Sequence, residues 1–288
     1  MEVLAGLPTP LVMGILLGGL YALLALGLSV VFGVMKLVNI AHGDLVILGS
    51  YIAFACMTYL GMDPIISLVI GIPALFGIGL FIQQFLMGRA FSLSAEAPLI
   101  IAFGIALVIQ NTNQIIWTPL SRGLTTPYSL SSFHLGPYQF PVSYLLAFIA
   151  AVVVMLALRE FLRRTYLGKA INAASEDRVA AQLMGINTKM IYGFAFAIAM
   201  ISAGIAGVFL GMTFPFTPTS GMQFLIIAFG VVIIGGLGSM LGTFLGGLIF
   251  GLVQTLAGFF FGPAIQMLSI YVIVLVILAV RPKGLFGR

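Results

Sequence analysis

Residues 159–190 read REFLRRTYLGKAINAASEDRVAAQLMGINTKM, and they form the only long stretch of this chain that is too polar to lie in hydrocarbon. The stretch contains half of the 12 basic residues: Arg159, Arg163, Arg164, Lys169, Arg178 and Lys189. The sequence on both sides is apolar enough to be embedded in a membrane. We therefore predict that this stretch is the main surface that the protein presents to one aqueous compartment.

The composition of the whole chain indicates a membrane protein. Of its 288 residues, 61% are hydrophobic and 7% are charged, whereas soluble domains contain about 25% charged residues. The net charge of +5 comes from basic residues scattered between apolar runs, which argues against a nucleic-acid-binding surface. We predict an all-α polytopic membrane protein in which residues 1–288 form a single transmembrane domain.

Nine apolar runs approach the length of about 20 residues that crosses a hydrocarbon layer roughly 30 Å thick. They cover residues 11–35, 45–60, 65–87, 98–117, 142–158, 191–213, 222–237, 240–261 and 264–280. The second, seventh and ninth runs are short, so about eight or nine transmembrane helices are expected. The runs are continuous and do not alternate, which favours helices over a β-barrel.

The positions of the basic residues predict the orientation, because Lys and Arg accumulate in cytoplasmic loops. With nine helices and the N-terminus outside, the inner segments are 36–44, 88–97, 159–190 and 281–288. These segments hold every basic residue except Arg122. The C-terminus and the stretch 159–190 are therefore predicted to be cytoplasmic.

A short sequence that occurs twice raises the possibility of an inverted repeat. The sequence LIIAFG occurs at 99–104 and again at 225–230. The predicted topology places the two copies in opposite directions, as in transporters whose pathway lies between inverted repeats. A chance match of six apolar residues in so apolar a chain is the alternative.

The sequence KLVNIAHGD at 36–44 interrupts the first two apolar runs. It is either a plain inner loop or a break in a helix close to a pathway through the bundle. Asn39 and Asp44 are residue types that cap helix N-termini, and Gly43 permits unusual backbone angles. A helix starting here would direct its free N–H groups towards a polar solute. Because a charge in hydrocarbon costs at least ~2.5–3.5 kcal/mol, His42 and Asp44 must face protein, water or the interface.

The sequence QNTNQ at 110–114 is a polar cluster near the outer end of the fourth run. On a helix, Gln110, Asn113 and Gln114 share one face. This face is predicted to point into the bundle, because polar side chains that face lipid are costly. The side chains either line a pathway or form hydrogen bonds between helices.

The sequence between residues 235 and 251 is rich in glycine at four-residue intervals. Gly238, Gly242 and Gly246 form overlapping GxxxG spacings, and Gly247 with Gly251 forms another. Small residues at this spacing allow helix backbones to approach closely, so tight helix packing is predicted here.

The stretch 159–190 contains the signals of a short helix. Asn172 or Ser175 is suited to cap its N-terminus, Glu176 and Asp177 fall in its first turn, and Gly185 is suited to end it. One face of this helix would carry the apolar residues Val179, Leu183 and Ile186. The helix either lies on the lipid headgroups or docks into a cleft of a soluble partner.

Five segments together resemble the permease subunit of branched-chain amino-acid ABC importers. In chain order these are GLYALLALG (19–27), VNIAHGD (38–44), AASEDRVAAQLMGIN (173–187), GGLGS (235–239) and RPKGLFG (281–287). The second segment has Ile40 where the family commonly has Phe. Each segment alone is weak evidence, but their order and spread over most of the chain make the set specific.

The resemblance implies a multi-pass protein of the bacterial cytoplasmic (inner) membrane that works within a complex. Such permeases associate with a second related permease subunit, two cytoplasmic ATPase subunits and a periplasmic solute-binding protein. Under this resemblance, ATP and Mg²⁺ are used by the partner ATPases, and this chain binds no cofactor or metal.

The resemblance also assigns roles to residues of this chain. Residues 175–185 would be the segment that couples to the ATPases, with Ser175, Glu176, Asp177, Arg178, Ala180, Leu183 and Gly185 as its site residues. The translocation pathway would involve the polar residues Asn39, His42, Gly43, Asp44, Gln110, Asn113 and Gln114. The solute would be a branched-chain or related hydrophobic amino acid.

Other functions remain open on the sequence alone. Members of the same importer class carry other small solutes, such as urea, amides or aromatic acids. A self-sufficient secondary transporter would need Asp44 or His42 to couple protons to transport. An intramembrane enzyme would need a nucleophile with its base, or a metal site, and the apolar runs contain no such combination.

Overall fold

The computed structural model describes residues 6–90 and 96–287, and it confirms an all-α polytopic architecture. The described helices are α1 (Pro8–Met35), α2 (His42–Leu60), α3 (Leu68–Ala90), α4 (Ala97–Trp117), α5 (Val142–Arg164), α6 (Tyr166–Glu176), α7 (Arg178–Leu183), α8 (Thr188–Thr213), α9 (Gly221–Gly235), α10 (Met240–Phe261) and α11 (Pro263–Val280). Eight of these described helices are long and apolar enough to cross a membrane, and α9 is a shorter apolar helix. An antiparallel hairpin, β1 (Ser132–Leu135) with β2 (Tyr138–Pro141), precedes α5.

Helix α1 occupies the centre of the bundle. Most residues of α1 are buried, whereas α11 is largely exposed and lies at the periphery. Helices α5, α8, α9 and α10 all pack against α1. Only a helix without charged side chains is suited to such a position, because every face of it meets another helix.

Glycines bring α1 and α10 into backbone contact, as their spacing predicts. A Cβ atom added to Gly18 would approach the Gly247 carbonyl oxygen to 2.7 Å, and one added to Gly251 would overlap the backbones of Gly14 and Gly18. Gly242 and Gly246 face α9 instead, where both approach Gly235. The GxxxG spacings therefore serve two different helix pairs.

Described residues from three of the segments predicted to be cytoplasmic, 88–97, 159–190 and 281–288, lie at one end of the bundle, which we call the basic end. Arg89 and Lys189 line one common hollow there. Arg163 lines a second hollow with Met240, the first residue of α10. The C-terminal tail reaches the same end, where the Leu285 N–H donates to the Ile234 carbonyl oxygen at 2.9 Å.

The opposite end, which we call the Arg122 end, carries the long loop between α4 and α5. The Tyr128 hydroxyl in this loop donates to the Asp63 carboxylate at 2.7 Å and so ties the loop to the α2–α3 connection. Burial, and secondarily the bond to Asp63, raises the pKa of Tyr128 to about 12. The phenol therefore remains a hydrogen-bond donor throughout the physiological pH range.

Several predicted boundaries differ from the structure. The second span begins at His42, not at residue 45, and α5 continues to Arg164, six residues beyond the predicted end at 158. Helix α8 already begins at Thr188. The polar stretch predicted as a loop at 159–190 is therefore a connection of residues 165–187. Its flanking basic residues extend membrane helices, because long cationic side chains reach the interface from a helix end.

The α1–α10 contact predicts that Gly251→Ala destabilises the protein. The added methyl group would meet backbone atoms of Gly14 and Gly18, which no side-chain movement relieves. Overpacking of this kind costs about 1–3 kcal/mol, so the midpoint of thermal unfolding in detergent should fall.

Gly104→Ala is the matched control, because a Cβ atom added at Gly104 would meet no neighbouring atom within 4 Å. Alanine also has the higher helix propensity, so this variant should unfold at the same temperature or slightly higher. Equal unfolding temperatures for the two variants would contradict the close α1–α10 contact.

Candidate functional site

The segment between α1 and α2 turns back into the bundle. The His42 imidazole Nε2 lies 2.8 Å from the carbonyl oxygen of Leu24, and His42 is fully buried. Leu24 precedes the end of α1 at Met35 by about 16 Å of helix rise. Residues 36–41 therefore run back along α1, and α2 begins deep inside the bundle. Of the two interpretations of residues 36–44, the structure contradicts the plain inner loop and supports a break between helices inside the bundle, whereas the closeness of that break to a pathway stays a prediction.

The predicted capping roles of Asn39 and Asp44 at this helix start are wrong. The N-cap residue of α2 is Ala41, and no side chain caps it. The fully buried Asn39 instead accepts the Ala41 N–H on Oδ1 at 3.1 Å, which holds the turn that precedes the helix. Asp44 lies in the first turn of α2, where the helix dipole favours a negative charge.

The start of α2 touches the start of α9. A Cβ atom added to Gly43 would overlap the Gly221 carbonyl oxygen, and one added to Gly221 would overlap the Asp44 carboxylate. Only glycine at both positions allows this approach. Helix α9 has 15 residues, which is too short to cross the hydrocarbon, and it ends beside the tail at the basic end. Two helix N-termini consequently meet inside the bundle.

Asp44 has a direct partner on α4. Its Oδ1 accepts a hydrogen bond from Gln110 Nε2 at 3.0 Å, and the Asp44 side chain is almost fully buried. On the same face of α4, Asn113 is buried and Gln114 is half-buried, whereas Asn111 is exposed. The predicted inward face of this polar cluster is therefore present. Its role in a pathway remains a prediction.

Several buried polar atoms around this junction have no hydrogen-bond partner within the described part of the chain. They are Asn39 Nδ2, His42 Nδ1 and Asn113 Nδ2. Buried polar groups are normally satisfied by protein or ordered water, so each of these atoms needs a partner that the described residues do not supply. The junction of α2, α4 and α9 therefore brings together a carboxylate, amides and two helix N-termini.

An aromatic cluster lies between this junction and the Arg122 end. Tyr51, two turns beyond Asp44 on α2, stacks on Trp117 at 5.9 Å and meets Phe216 edge-on at 5.0 Å. Arg122 exchanges two backbone hydrogen bonds with Phe216 and lies 5.4 Å from the Phe54 ring centroid. These contacts close the bundle at the Arg122 end.

The contact of Gly221 with the start of α2 and the aromatic cluster were not predicted from the sequence. The available signal was the run FPFTPTSG at 214–221, a polar and proline-containing interruption between two apolar runs, like the one at 36–44. Helices α2 and α9 both begin at the junction and leave it towards opposite ends. The two LIIAFG copies lie in α4 and α9, not in α2 and α9. The inverted repeat therefore stays a prediction, and the two helices that most resemble each other in geometry are α2 and α9.

The predicted short helix at the basic end is two helices. Its expected caps, Asn172 and Ser175, lie within α6, and Glu176 is the last residue of that helix. Asp177 adopts an extended conformation and caps α7, where its Oδ1 accepts the N–H groups of Val179 at 2.8 Å and Ala180 at 3.0 Å. The placement of Glu176 and Asp177 in the first turn is therefore wrong. Gly185, with φ of +83°, closes the segment as predicted.

Helix α7 and its C-cap residue Met184 carry exposed apolar side chains. Val179 is 65% exposed, and Leu183 and Met184 are each 83% exposed. Arg178 and Ala180 are exposed as well, whereas Ala181 packs inward. We call Val179, Leu183 and Met184 the α7 patch. The Gln182 amide donates to the Thr188 hydroxyl at 2.8 Å, which ties α7 to the first residue of α8.

Across residues 6–90 and 96–287, no three His, Cys, Asp or Glu side chains lie close enough together to hold a metal ion. The two features that distinguish the molecule are the polar junction and the α7 patch.

The chain is similar to known proteins over nearly its whole length. The chain is 31% identical to the high-affinity branched-chain amino acid transport system permease protein BraD of Pseudomonas aeruginosa, over 96% of this chain and 95% of the relative. It is 30% identical to the permease protein LivH of the corresponding Escherichia coli system, over 96% and 94%. Among solved structures, a chain of PsaBC from Streptococcus pneumoniae has a similar fold, with a TM-score of 0.52, 13% identity and coverage of 98% and 96%.

A family model provides the assignment. The family described as the permease component of the branched-chain amino acid transport system matches residues 11–280, which include the polar junction and the α7 patch. With this match and the relatives at about 30% identity, the chain belongs to the family of branched-chain amino acid transport system permeases.

Proposed function

We propose that this chain is the membrane-spanning subunit of an ATP-driven ABC importer for branched-chain or related hydrophobic amino acids. A periplasmic binding protein delivers the solute, and a second related permease subunit completes the pathway. The chain itself is not catalytic. Two cytoplasmic ATPase subunits use ATP and Mg²⁺, and the complex lies in the bacterial cytoplasmic membrane.

The observation that carries this proposal is the α7 patch. Val179 and Leu183 on this six-residue helix and Met184 at its C-cap are exposed, and such an apolar patch is costly in water unless a partner covers it. The flanking Arg178 adds a positive charge for orientation. A small rigid projection with an apolar centre and a polar rim is the kind of surface that docks into a cleft of another protein.

The contacts of α7 provide a route from that partner to the junction. The Gln182–Thr188 hydrogen bond joins α7 to α8. Further along α8, the Gly207 carbonyl oxygen accepts the Ser50 hydroxyl of α2 at 2.7 Å. A force on α7 therefore acts on α8, which packs directly against the helix that carries His42 and Asp44. This is how ATP-driven closure of the ATPases would rearrange the pathway.

The chemistry of the junction fits a zwitterion with an apolar side chain. The Asp44 carboxylate suits an ammonium group, and the N–H groups at the helix starts suit a carboxylate. The Asp44–Gln110 bond and the Gly43–Gly221 contact occupy this space, so the pathway is closed at this depth. If specificity lies in the binding protein instead, the junction does not select the solute, and urea, an amide or an aromatic acid is the alternative to an amino acid.

A secondary transporter is the competing function, and the buried Asp44 carboxylate is the observation that favours it. In that mechanism Asp44 or His42 would exchange protons during transport. Helix α7 would then need no partner.

Leu183→Glu should abolish assembly with the ATPase subunits. The side chain is 83% exposed, so the fold of this chain is unaffected, whereas a carboxylate in an apolar docking cleft is left without a partner. We expect ATPase co-purification to fall at least about tenfold, the equivalent of roughly 1.4 kcal/mol, together with ATP-driven uptake.

Leu130→Glu is the control for that variant, because Leu130 is 77% exposed in the loop at the Arg122 end. It should co-purify ATPase subunits like the unmodified protein. Normal ATPase recovery with Leu183→Glu, at normal membrane levels, would refute the docking role of α7.

The energy source separates the two transport functions. We expect leucine uptake in proteoliposomes that hold the complete complex with binding protein and internal ATP, and this uptake should persist when a protonophore collapses the proton gradient. The chain alone, given a proton gradient without ATP, should show no uptake, because it has no motor of its own. Gradient-driven uptake by the chain alone would favour the secondary transporter.

A further inference from the structure

A hollow of about 600 Å³ lies at the basic end, between the last turns of α3 and the start of α8. It is separate from the polar junction and borders the α7 patch only through Arg178. Its described lining residues include Gln83, Gln84, Arg89, Arg178, Lys189 and Tyr192. The proposed transport mechanism gives this space no role.

The hollow is strongly cationic. Arg89, Arg178 and Lys189 line it, and none of its described lining residues is acidic. The Arg178 guanidinium lies 5.9 Å from the Tyr192 ring centroid, which holds it at the rim. Three positive charges around one concave space repel each other and attract an anion.

A buried glutamine gives the hollow a second recognition element. Gln83 is 2% exposed, and its side-chain Oε1 has no hydrogen-bond partner among the described residues. An unpaired buried acceptor is unfavourable unless a ligand donates to it. The ligand should therefore carry a hydrogen-bond donor as well as a negative charge.

The backbone of α3 explains why two consecutive glutamines line the hollow. Residues Ile82–Met87 form a π-helical turn in which the Gly88 N–H donates to the Gln83 carbonyl oxygen. The extra residue in this turn rotates the side chains relative to a regular α-helix. Such turns occur frequently at functional sites.

Exposed apolar side chains lie on α3 next in sequence to the glutamines that line the hollow. Phe81 and Phe85 are 57% and 50% exposed on α3, and their ring centroids are 5.2 Å apart. They lie one turn apart, at the beginning of the π-helical turn. A cationic hollow beside exposed aromatic rings at a helix end suits a molecule with an anionic head and hydrocarbon tails.

We propose that this hollow binds the headgroup of an anionic phospholipid that carries hydroxyl groups, with phosphatidylglycerol as the best fit. The phosphate would lie among Arg89, Arg178 and Lys189, and a glycerol hydroxyl would donate to Gln83 Oε1. The acyl chains would cover Phe81 and Phe85. Because Arg178 begins α7, a bound lipid would also fix the start of the α7 patch.

The test measures lipid retention by the full-length chain and needs no transport activity, so it is independent of the proposed function. The purified protein in neutral detergent is given equal amounts of phosphatidylglycerol, phosphatidylmethanol and phosphatidylcholine with identical acyl chains. Native mass spectrometry then counts the retained lipids. Phosphatidylmethanol has the same charge as phosphatidylglycerol but lacks its hydroxyl groups.

We expect phosphatidylglycerol to be retained at least about fivefold over phosphatidylcholine. Lys189→Gln should lower this preference about fivefold. Lys283→Gln removes the same charge from the exposed tail, outside the hollow, and should leave the preference unchanged. Gln83→Leu should make phosphatidylglycerol and phosphatidylmethanol equivalent while both remain preferred over phosphatidylcholine.

Four results would each overturn the proposal. Equal retention of charged and zwitterionic lipids would exclude a headgroup site, and equal effects of Lys189→Gln and Lys283→Gln would place the site elsewhere. Displacement of the lipid by low millimolar glycerol phosphate would indicate a site for a soluble anion. Absence of retained lipid would show that the hollow is not a phospholipid site. If Gln83→Leu does not fold, the ratio of phosphatidylglycerol to phosphatidylmethanol on the unmodified protein decides, and a ratio of one contradicts the role of Gln83.

Discussion

The cost of an unpaired polar group in hydrocarbon is the constraint on which this structure depends. It confines the basic residues to helix ends and aqueous connections, and it requires every interruption of a membrane helix to be satisfied by protein. The segment 36–41 meets that requirement through the Asn39 turn and through the close approach of Gly43 to Gly221. Basic residues are thus concentrated at one end of the bundle, and the Asp44 carboxylate lies with buried amides at one junction inside it.

The connection between those two places gives the molecule its proposed mechanism. Helix α8 begins at the hydrogen bond from α7 and continues past the Ser50–Gly207 bond to α2. The same helix packs against α1 and α3. Because packed helices move as rigid units, α8 is the element through which a soluble partner at the basic end would act on the junction of α2, α4 and α9.

Much of this architecture follows from local sequence patterns. The apolar runs predict the membrane helices, the GxxxG spacings predict close packing of α10, and the spacing of Gln110 and Asn113 predicts an inward face on α4. Helix boundaries were less predictable. Asn172, Ser175 and Asp177 are all good caps, and the choice of Asp177 depends on how α6 buries Ile171 and Ala174 against other helices. The depth of His42 depends on Gly221, a partner far along the chain that periodicity cannot identify.

The central claim is that the polar connection 165–187 faces the cytoplasm with the α7 patch uncovered for a partner. Cys56 is the only cysteine in the chain, so Cys56→Ala permits labelling of single cysteines introduced at Leu183 or Leu130. In intact cells that produce this chain without the ATPase subunits, a membrane-impermeant thiol reagent should label Leu130→Cys and should label Leu183→Cys only after permeabilisation. Labelling of Leu183→Cys in intact cells would contradict the account.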